Sequence, residues 1–319
     1  MAENKNLISR RHFTKISSMA IGGIPLINFG NPLKNENPEK DLSIHLFSKH
    51  LQFLNYNDMA AAAKELGFNG LDLTVRPKGH VVPEKVSIDL PKAVQTMKKY
   101  GLTPSLMTTN IWDSTNINNI QILETASKLG FTHYRTDWLT YPEERTISQS
   151  QIIYGQQAAQ LEVLNKRINL IGCYKNYAGN HVGAPIWDLP PILEATDNTY
   201  MGCQYDIRHA MVEGGSSWEL GLRRISPFIK SIVIKDFKWA RVNGIWKPVN
   251  TPLGEGMVDF KRYFTLLKKY KINVPVSLHL EYDLGGAEHG ATHLTIDKKV
   301  VFAQMGKDLQ FIKDTWDRT

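Results

Sequence analysis

From residue 41 onward, eight short β-rich runs recur along this chain, separated by amphipathic helical stretches, and no other feature restricts its fold so tightly. The runs are DLSIHLF (41–47), NGLDLTV (69–75), TPSLMTT (103–109), THYRTDW (132–138), INLIGCY (168–174), MGCQYDI (201–207), SIVIKDF (231–237) and VPVSLHLEY (274–282). Between them lie helical patterns such as NDMAAAAKELG, LPKAVQTMKKYG and INNIQILETASKLG, closed by glycine where a left-handed cap costs least, and a last helix is predicted over residues 297–315. Strands separated by helices rather than hairpin turns pair in parallel through right-handed crossovers. Eight such units close into a single-domain α/β fold, a (β/α)8 barrel over residues 41–319. An open doubly wound sheet would carry a glycine-rich phosphate loop after its first strand, and none is present. After the seventh run, KWARVNGIWKPVNTPLGEGMVDF is too long for a plain connection and contains the hairpin signal Asn243-Gly244. A small insertion folded over the barrel mouth is expected there.

The first forty residues read as an address. SRRHFTK (9–15) precedes the weakly apolar ISSMAIGGIPLINFG, which is too short to span a membrane, and then the polar NPLKNENPEK. Twin arginines before such a run resemble a twin-arginine export signal (residues 1–30) followed by a linker (31–40). The expected partner is then the twin-arginine export machinery and the expected location periplasmic. A cytoplasmic enzyme beginning with a basic amphipathic helix is the alternative. Residues 1–30 also carry a net +3 of the chain's +7, and the rest has no basic stripe, so no nucleic-acid partner is expected. Cys173 and Cys203 fall in predicted strands without CxxC spacing and read as buried thiols.

In a (β/α)8 barrel the C-terminal strand ends form the active site, and here they are dense in polar residues. They supply Arg76 and His80 after run two, Thr108, Asn110 and Trp112 after run three, and Arg135 and Asp137 in run four. Runs five to eight lead into Lys175, Asn176 and His181; Asp206, Arg208 and His209; Lys235, Asp236 and Lys238; and His279 and Glu281. Buried ionisable groups are costly without partners or a catalytic task. Plainer roles are open for some: His45 as a satisfied core histidine, Arg135 and Asp137 as a structural ion pair, Asp236 as a cap for the insertion.

YDIRH (205–209), IKD (234–236), PLGEGMVDF (252–260) and SLHLEY (277–282) resemble the xylose isomerase-like TIM barrels, which include sugar epimerases, inosose dehydratases and hydroxypyruvate isomerases. The resemblance covers residues 41–316 and implies one divalent metal (Mn, Mg or Zn) held from strands five to eight by glutamate, aspartate, histidine and glutamate. Carried over, the aspartate falls on Asp206 and the last glutamate on Glu281, but the other two positions fall on Lys175 and Val233. Protonated lysine has no lone pair for a metal. Either a shifted site uses Asp206 and Glu281 with His279 or His209, or Lys175 replaces the metal's charge.

The implied reaction is that of a sugar isomerase or epimerase, which removes a proton beside a carbonyl of a sugar or keto-sugar. Glu281 is the expected base, Lys175 or a metal the oxyanion partner, and Lys235 and His209 the proton carriers. Arg76, His80, Trp112, Asn176, His181 and Arg208 are expected to bind the small carbohydrate substrate. Alternatives are a carbon–oxygen lyase or hydratase acting on 3-keto-sugars or keto-glycosides, and a non-catalytic sugar-binding barrel. A DNA-repair endonuclease on this fold would need three metals and many more ligands than the chain offers.

Overall fold

The computed structural model describes residues 41–319, and the export and linker expectations for residues 1–40 lie outside them. In chain order the strands are β1 (Ile44–Phe47), β2 (Gly70–Thr74), β3 (Thr103–Thr108), β4 (His133–Arg135), β5 (Ile171–Lys175), β6 (Met201–Asp206) and β7 (Ile229–Ile234). They are followed by the hairpin pair β8 (Asp236–Val242) and β9 (Ile245–Thr251), and then β10 (Val276–Leu278). β1 to β7 and β10 pair in parallel and close as a barrel, with β10 between β7 and β1. β1, β2 and β6 are buried along their whole length, as strands flanked on both faces must be.

Helices α1 (Tyr56–Leu66), α2 (Val86–Lys99), α3 (Ile117–Leu129), α4 (Ile147–Ile168), α5 (Leu189–Leu193), α6 (Ile207–Gly214), α7 (Trp218–Ile225), α8 (Phe260–Lys269) and α9 (Lys298–Asp317) connect and follow the strands. Side-chain caps set several boundaries. Asn55 and Asn116 accept backbone N–H groups at the starts of α1 and α3, and Thr146 with Gln149 forms a capping box on α4. The fifth strand starts later than expected, because α4 continues to Ile168 and ends on Asn169 in the left-handed region (φ 55°). No helix among the described residues is long and apolar enough to cross a membrane.

The pleat decides which side chains enter the barrel. Tyr134 points outward, donating to Asn165 of α4 at 2.9 Å, so its neighbour Arg135 points inward at the strand end. His45 is fully buried, hydrogen-bonded to the Ser43 carbonyl, and its pKa is pushed down by burial to about 4. That is the satisfied core histidine expected. Cys173 and Cys203 are buried free thiols.

The insertion is the β8–β9 hairpin, turning on Asn243 (φ 52°) and Gly244 (φ 81°). Two successive positive φ angles are what an Asn-Gly hairpin turn supplies. Its position over the mouth is fixed by Asn250, which accepts from Arg208 Nε at 3.0 Å and donates to the Glu281 carbonyl at 3.1 Å. The loop after β9 is gathered by Asp236, whose carboxylate accepts four backbone N–H groups, from Phe237, Gly254, Gly256 and Val258, at 2.8–3.1 Å. A side chain on Gly256 would run into that carboxylate. Asp236 therefore caps the insertion, the plainer of its two expected roles. Asp236→Ala should strand these donors, lower stability by about 3 kcal/mol and open the 252–258 loop to proteolysis; an unchanged melting curve and cleavage pattern would contradict this role.

Candidate active site

Four charged side chains meet where β5, β6, β7 and β10 end. Lys175 closes β5, Asp206 closes β6, Lys235 follows β7 directly, and Glu281 follows β10. Asp206 Oδ2 lies 3.1 Å from Lys175 Nζ, 3.2 Å from Lys235 Nζ and 3.6 Å from His209 Nε2. The ammonium contacts are within ion-pair distance but off hydrogen-bond alignment, so Oδ2 has no hydrogen-bond partner. Lys235 Nζ also donates to Glu281 Oε2 and sits against His209 Nε2, both at 2.9 Å. Lys175, Asp206 and Lys235 have side chains no more than 2% exposed, whereas Glu281 keeps 21% of its side chain open to solvent.

Burial and neighbouring charge set the protonation states. Burial, then the positive charge of Lys235, lowers the Lys175 pKa to about 7. Burial also opposes the Lys235 charge, but Asp206 and Glu281 outweigh it and its pKa rises. Burial likewise opposes ionisation of both carboxylates. For Asp206 it is outweighed by the positive charges packed against it, Lys235 and Lys175, and for Glu281 by Lys235, a bond from His279, and Lys49, so both pKa values stay well below the usual carboxylate range. His209 and His279 are kept neutral chiefly by burial. The mouth thus holds two firm carboxylates, one firm ammonium, and one lysine divided between amine and ammonium at neutral pH.

The xylose isomerase-like TIM barrel family matches this chain over residues 60–296. The chain belongs to that family. No curated protein matches it in sequence. Among solved structures, D-allulose 3-epimerase from Methylomonas sp. superposes with a TM-score of 0.64 at 15% identity, over 86% of this chain and 98% of that one. The probable 3-DHS dehydratase of petrobactin synthesis from Bacillus anthracis gives 0.61 at 13% identity, over 85% and 99%. A xylose isomerase-like TIM barrel protein from Mycobacterium smegmatis, in complex with magnesium, gives 0.62 at 13% identity, over 86% and 98%. At these identities the likeness is one of fold.

The polar residues present do not fit a divalent metal. Between Asp206 and Glu281 stands Lys235, with Lys175 beside it, and lysine ammonium groups bring hydrogens where a metal needs lone pairs. His279 is stacked on Phe47 at 4.2 Å between ring centroids, and its nitrogens lie 3.1 Å from Ser277 Oγ and 3.4 Å from Glu281 Oε1. Among the described residues, no three His, Cys, Asp or Glu side chains converge as a metal set. Val233 pairs in register with Asp206, where its buried aliphatic side chain offers no ligand, and Lys235, two residues on, is the side chain that contacts both carboxylates.

The expected sugar-binding residues divide. Arg76 and His181 lie around the mouth: Arg76 stands beside Phe47, and the His181 ring packs against Trp138 and Tyr177, with its buried Nδ1 lacking a partner. Asn176 is buried, its amide bonded to both the N–H and the carbonyl of Asp206, so it positions that carboxylate. Arg208 stacks on Phe237 and reaches Asn250 and His209, which makes it a buttress under the hairpin. Trp112 donates to Gln157 on α4, and the nitrogens of His80 meet Thr74 and the Leu51 carbonyl. Arg135 and Asp137 form no ion pair within 4.0 Å.

Tyr177, Lys49 and Phe47 were not singled out in the sequence. The Tyr177 ring lies 5.6 Å from Lys175 Nζ and 6.0 Å from Lys235 Nζ, and 4.3 Å from the His209 ring, which shields the lysines from water. An aromatic residue two places beyond Lys175, in the loop leaving run five, was the available signal. A separate cleft around Asp41, Asn69 and Lys313 lies at the opposite, N-terminal end of the barrel, the face that in this architecture serves stability. Lys235→Met would leave two carboxylates without their shared counter-charge. It should lower stability by ~3–5 kcal/mol, more than Lys175→Met; equal melting temperatures for wild type and Lys235→Met would refute the bridging role.

Proposed function

We propose that the protein is a sugar isomerase or epimerase that removes a proton beside a carbonyl of a sugar or keto-sugar, with Glu281 as base and Lys175 and Lys235 meeting the oxyanion. The observation carrying this reading is a partly exposed carboxylate beside two buried lysines at the barrel mouth. Proton abstraction next to a carbonyl needs a base on carbon and a positive partner on oxygen, and both are within one side-chain cluster.

The resting bond between Lys235 and Glu281 holds the carboxylate as a weak base. A substrate oxygen entering between the lysines draws Lys235 toward itself and leaves Glu281 more basic. Lys175, divided between two protonation states near pH 7, takes its charged form more fully as negative charge grows on that oxygen. Its interaction is then stronger with the enediolate than with the carbonyl, which is the condition for lowering the barrier. His209, neutral and 2.9 Å from Lys235 Nζ, sits against that ammonium and steadies it. The fold-level likeness to a sugar 3-epimerase supports the same reading.

A carbon–oxygen lyase acting on keto-sugars shares the first step. Lys235, a buried ammonium beside Glu281, supports that second reading as a hydrogen-bond donor to a departing oxygen, and one structure of this fold is that of a probable dehydratase. Keto-sugars and keto-glycosides incubated in deuterated water separate the two, since epimerisation exchanges a proton and elimination releases a group. Glu281→Gln should reduce either outcome at least about a hundredfold with the circular dichroism spectrum retained. Because Lys175 acts as the ammonium, kcat/KM should fall as pH rises through about 7, and Lys175→Arg should move that limb upward. Undiminished turnover in Glu281→Gln, or a rate that climbs through pH 7, would overturn this assignment of roles.

A further inference from the structure

The β1–β2–β4 side of the mouth carries three cations that the protein itself leaves under-neutralised. Lys49 follows β1, Arg76 follows β2 and Arg135 closes β4. Lys49 Nζ and Arg76 Cζ lie 5.6 and 5.8 Å from the centroid of the Phe47 ring, and Arg135 Cζ lies 4.5 Å from that of Trp138. Aromatic faces hold cations without using their N–H donors. Arg135 is 3% exposed; its Nη2 donates to the Thr109 carbonyl at 3.2 Å, and its Nε has no partner. Among the described residues neither guanidinium has a carboxylate oxygen within 4.0 Å. Of the acids whose fields reach both guanidiniums, Asp72 is engaged by Thr108 at 2.9 Å and Ser277 at 2.7 Å, Glu281 is held by Lys235, and Asp137 stays beyond 4.0 Å of either.

The three cations also lie within one another's fields: burial and then Lys235 weaken the Lys49 charge most, with Arg76 and Arg135 adding to them, and burial followed by Arg76 weakens that of Arg135. Like charges held together in a poorly solvated place are unfavourable until an anion joins them. Two guanidinium forks with free donors suit a planar carboxylate, which they bind with paired hydrogen bonds. Lys49 Nζ lies 3.7 Å from Glu281 Oε1, so an anion here would sit next to the base.

We propose that Lys49, Arg76 and Arg135 form a subsite for a carboxylate on the substrate, so that the mouth takes a sugar acid or keto-acid in preference to a neutral sugar. This rests on the reading of the mouth as the place of proton abstraction and adds the class of substrate. A carboxylate bound there also draws Lys49 off Glu281, coupling recognition to the strength of the base.

The test is titration calorimetry on the full chain with D-glucuronate, D-galacturonate and D-gluconate against D-glucose, D-galactose and D-glucose 6-phosphate. At least one acid should bind about tenfold tighter or more than its neutral counterpart, and the margin should shrink with added salt. Arg76→Gln and Lys49→Met, both on the accessible side of the cluster, should each remove most of that margin by weakening acid binding more than neutral-sugar binding. Equal binding of acids and neutral sugars, preference for the phosphorylated sugar, or a margin intact in both variants would overturn the subsite. These are binding readouts, so an acid preference without proton exchange would uphold the subsite and count against the reaction assigned to Glu281.

Discussion

The contact of Lys235 with both Asp206 and Glu281 is the interaction on which the mouth of this barrel depends. Two carboxylates from different strands converge in a place with little access to water, and without a cation between them they would repel each other and lose charge. Lys235 offsets the charge of both, ties the end of β7 to β6 and β10, and touches His209. Lys175 completes the cluster, but burial and then the field of Lys235 make it the cation that loses its proton more readily. One lysine organises the site, and the other is left responsive to what binds there.

Further contacts keep this cluster in place. Asn176 fastens the Asp206 backbone on both sides, and the Asp206 side chain caps α6 by accepting from the His209 N–H. The hairpin reaches down through Asn250 to Arg208 and the Glu281 backbone, while Asp236 gathers the loop that follows it. Tyr177 covers the lysines, with its ring against His209, His181 and Trp138. Second contacts of this kind hold reacting groups in register without themselves reacting.

The barrel was legible in the sequence because strand, helix and glycine-cap signals repeat eight times and agree with one another. Asp206, Glu281, Lys175 and Lys235 were legible for a related reason: ionisable residues at strand ends stand out against buried strands. What partners such residues take was not legible. Trp112 finds Gln157, and Asn176 finds the Asp206 backbone, through contacts 45 and 30 residues apart in sequence. Val233 is the register partner of Asp206, yet Lys235, just past the strand end, is what reaches both carboxylates, and spacing alone did not show that reach. Lys49 and Phe47 lie at the end of the first run, where no motif marks them and only the closing of the barrel brings them to Glu281 and His279.

In a family where the sequence resemblance implies a divalent metal, this chain sets lysine nitrogens between its carboxylates, and the central claim is that their positive charge serves in its place. Elemental analysis of the protein, purified without chelator from medium rich in manganese, magnesium and zinc, tests this most directly, with calorimetric titration of each ion as the companion measurement. The lysine arrangement predicts far less than one metal atom per chain and no saturable binding. Close to one atom per chain, lost in Asp206→Ala, would contradict it.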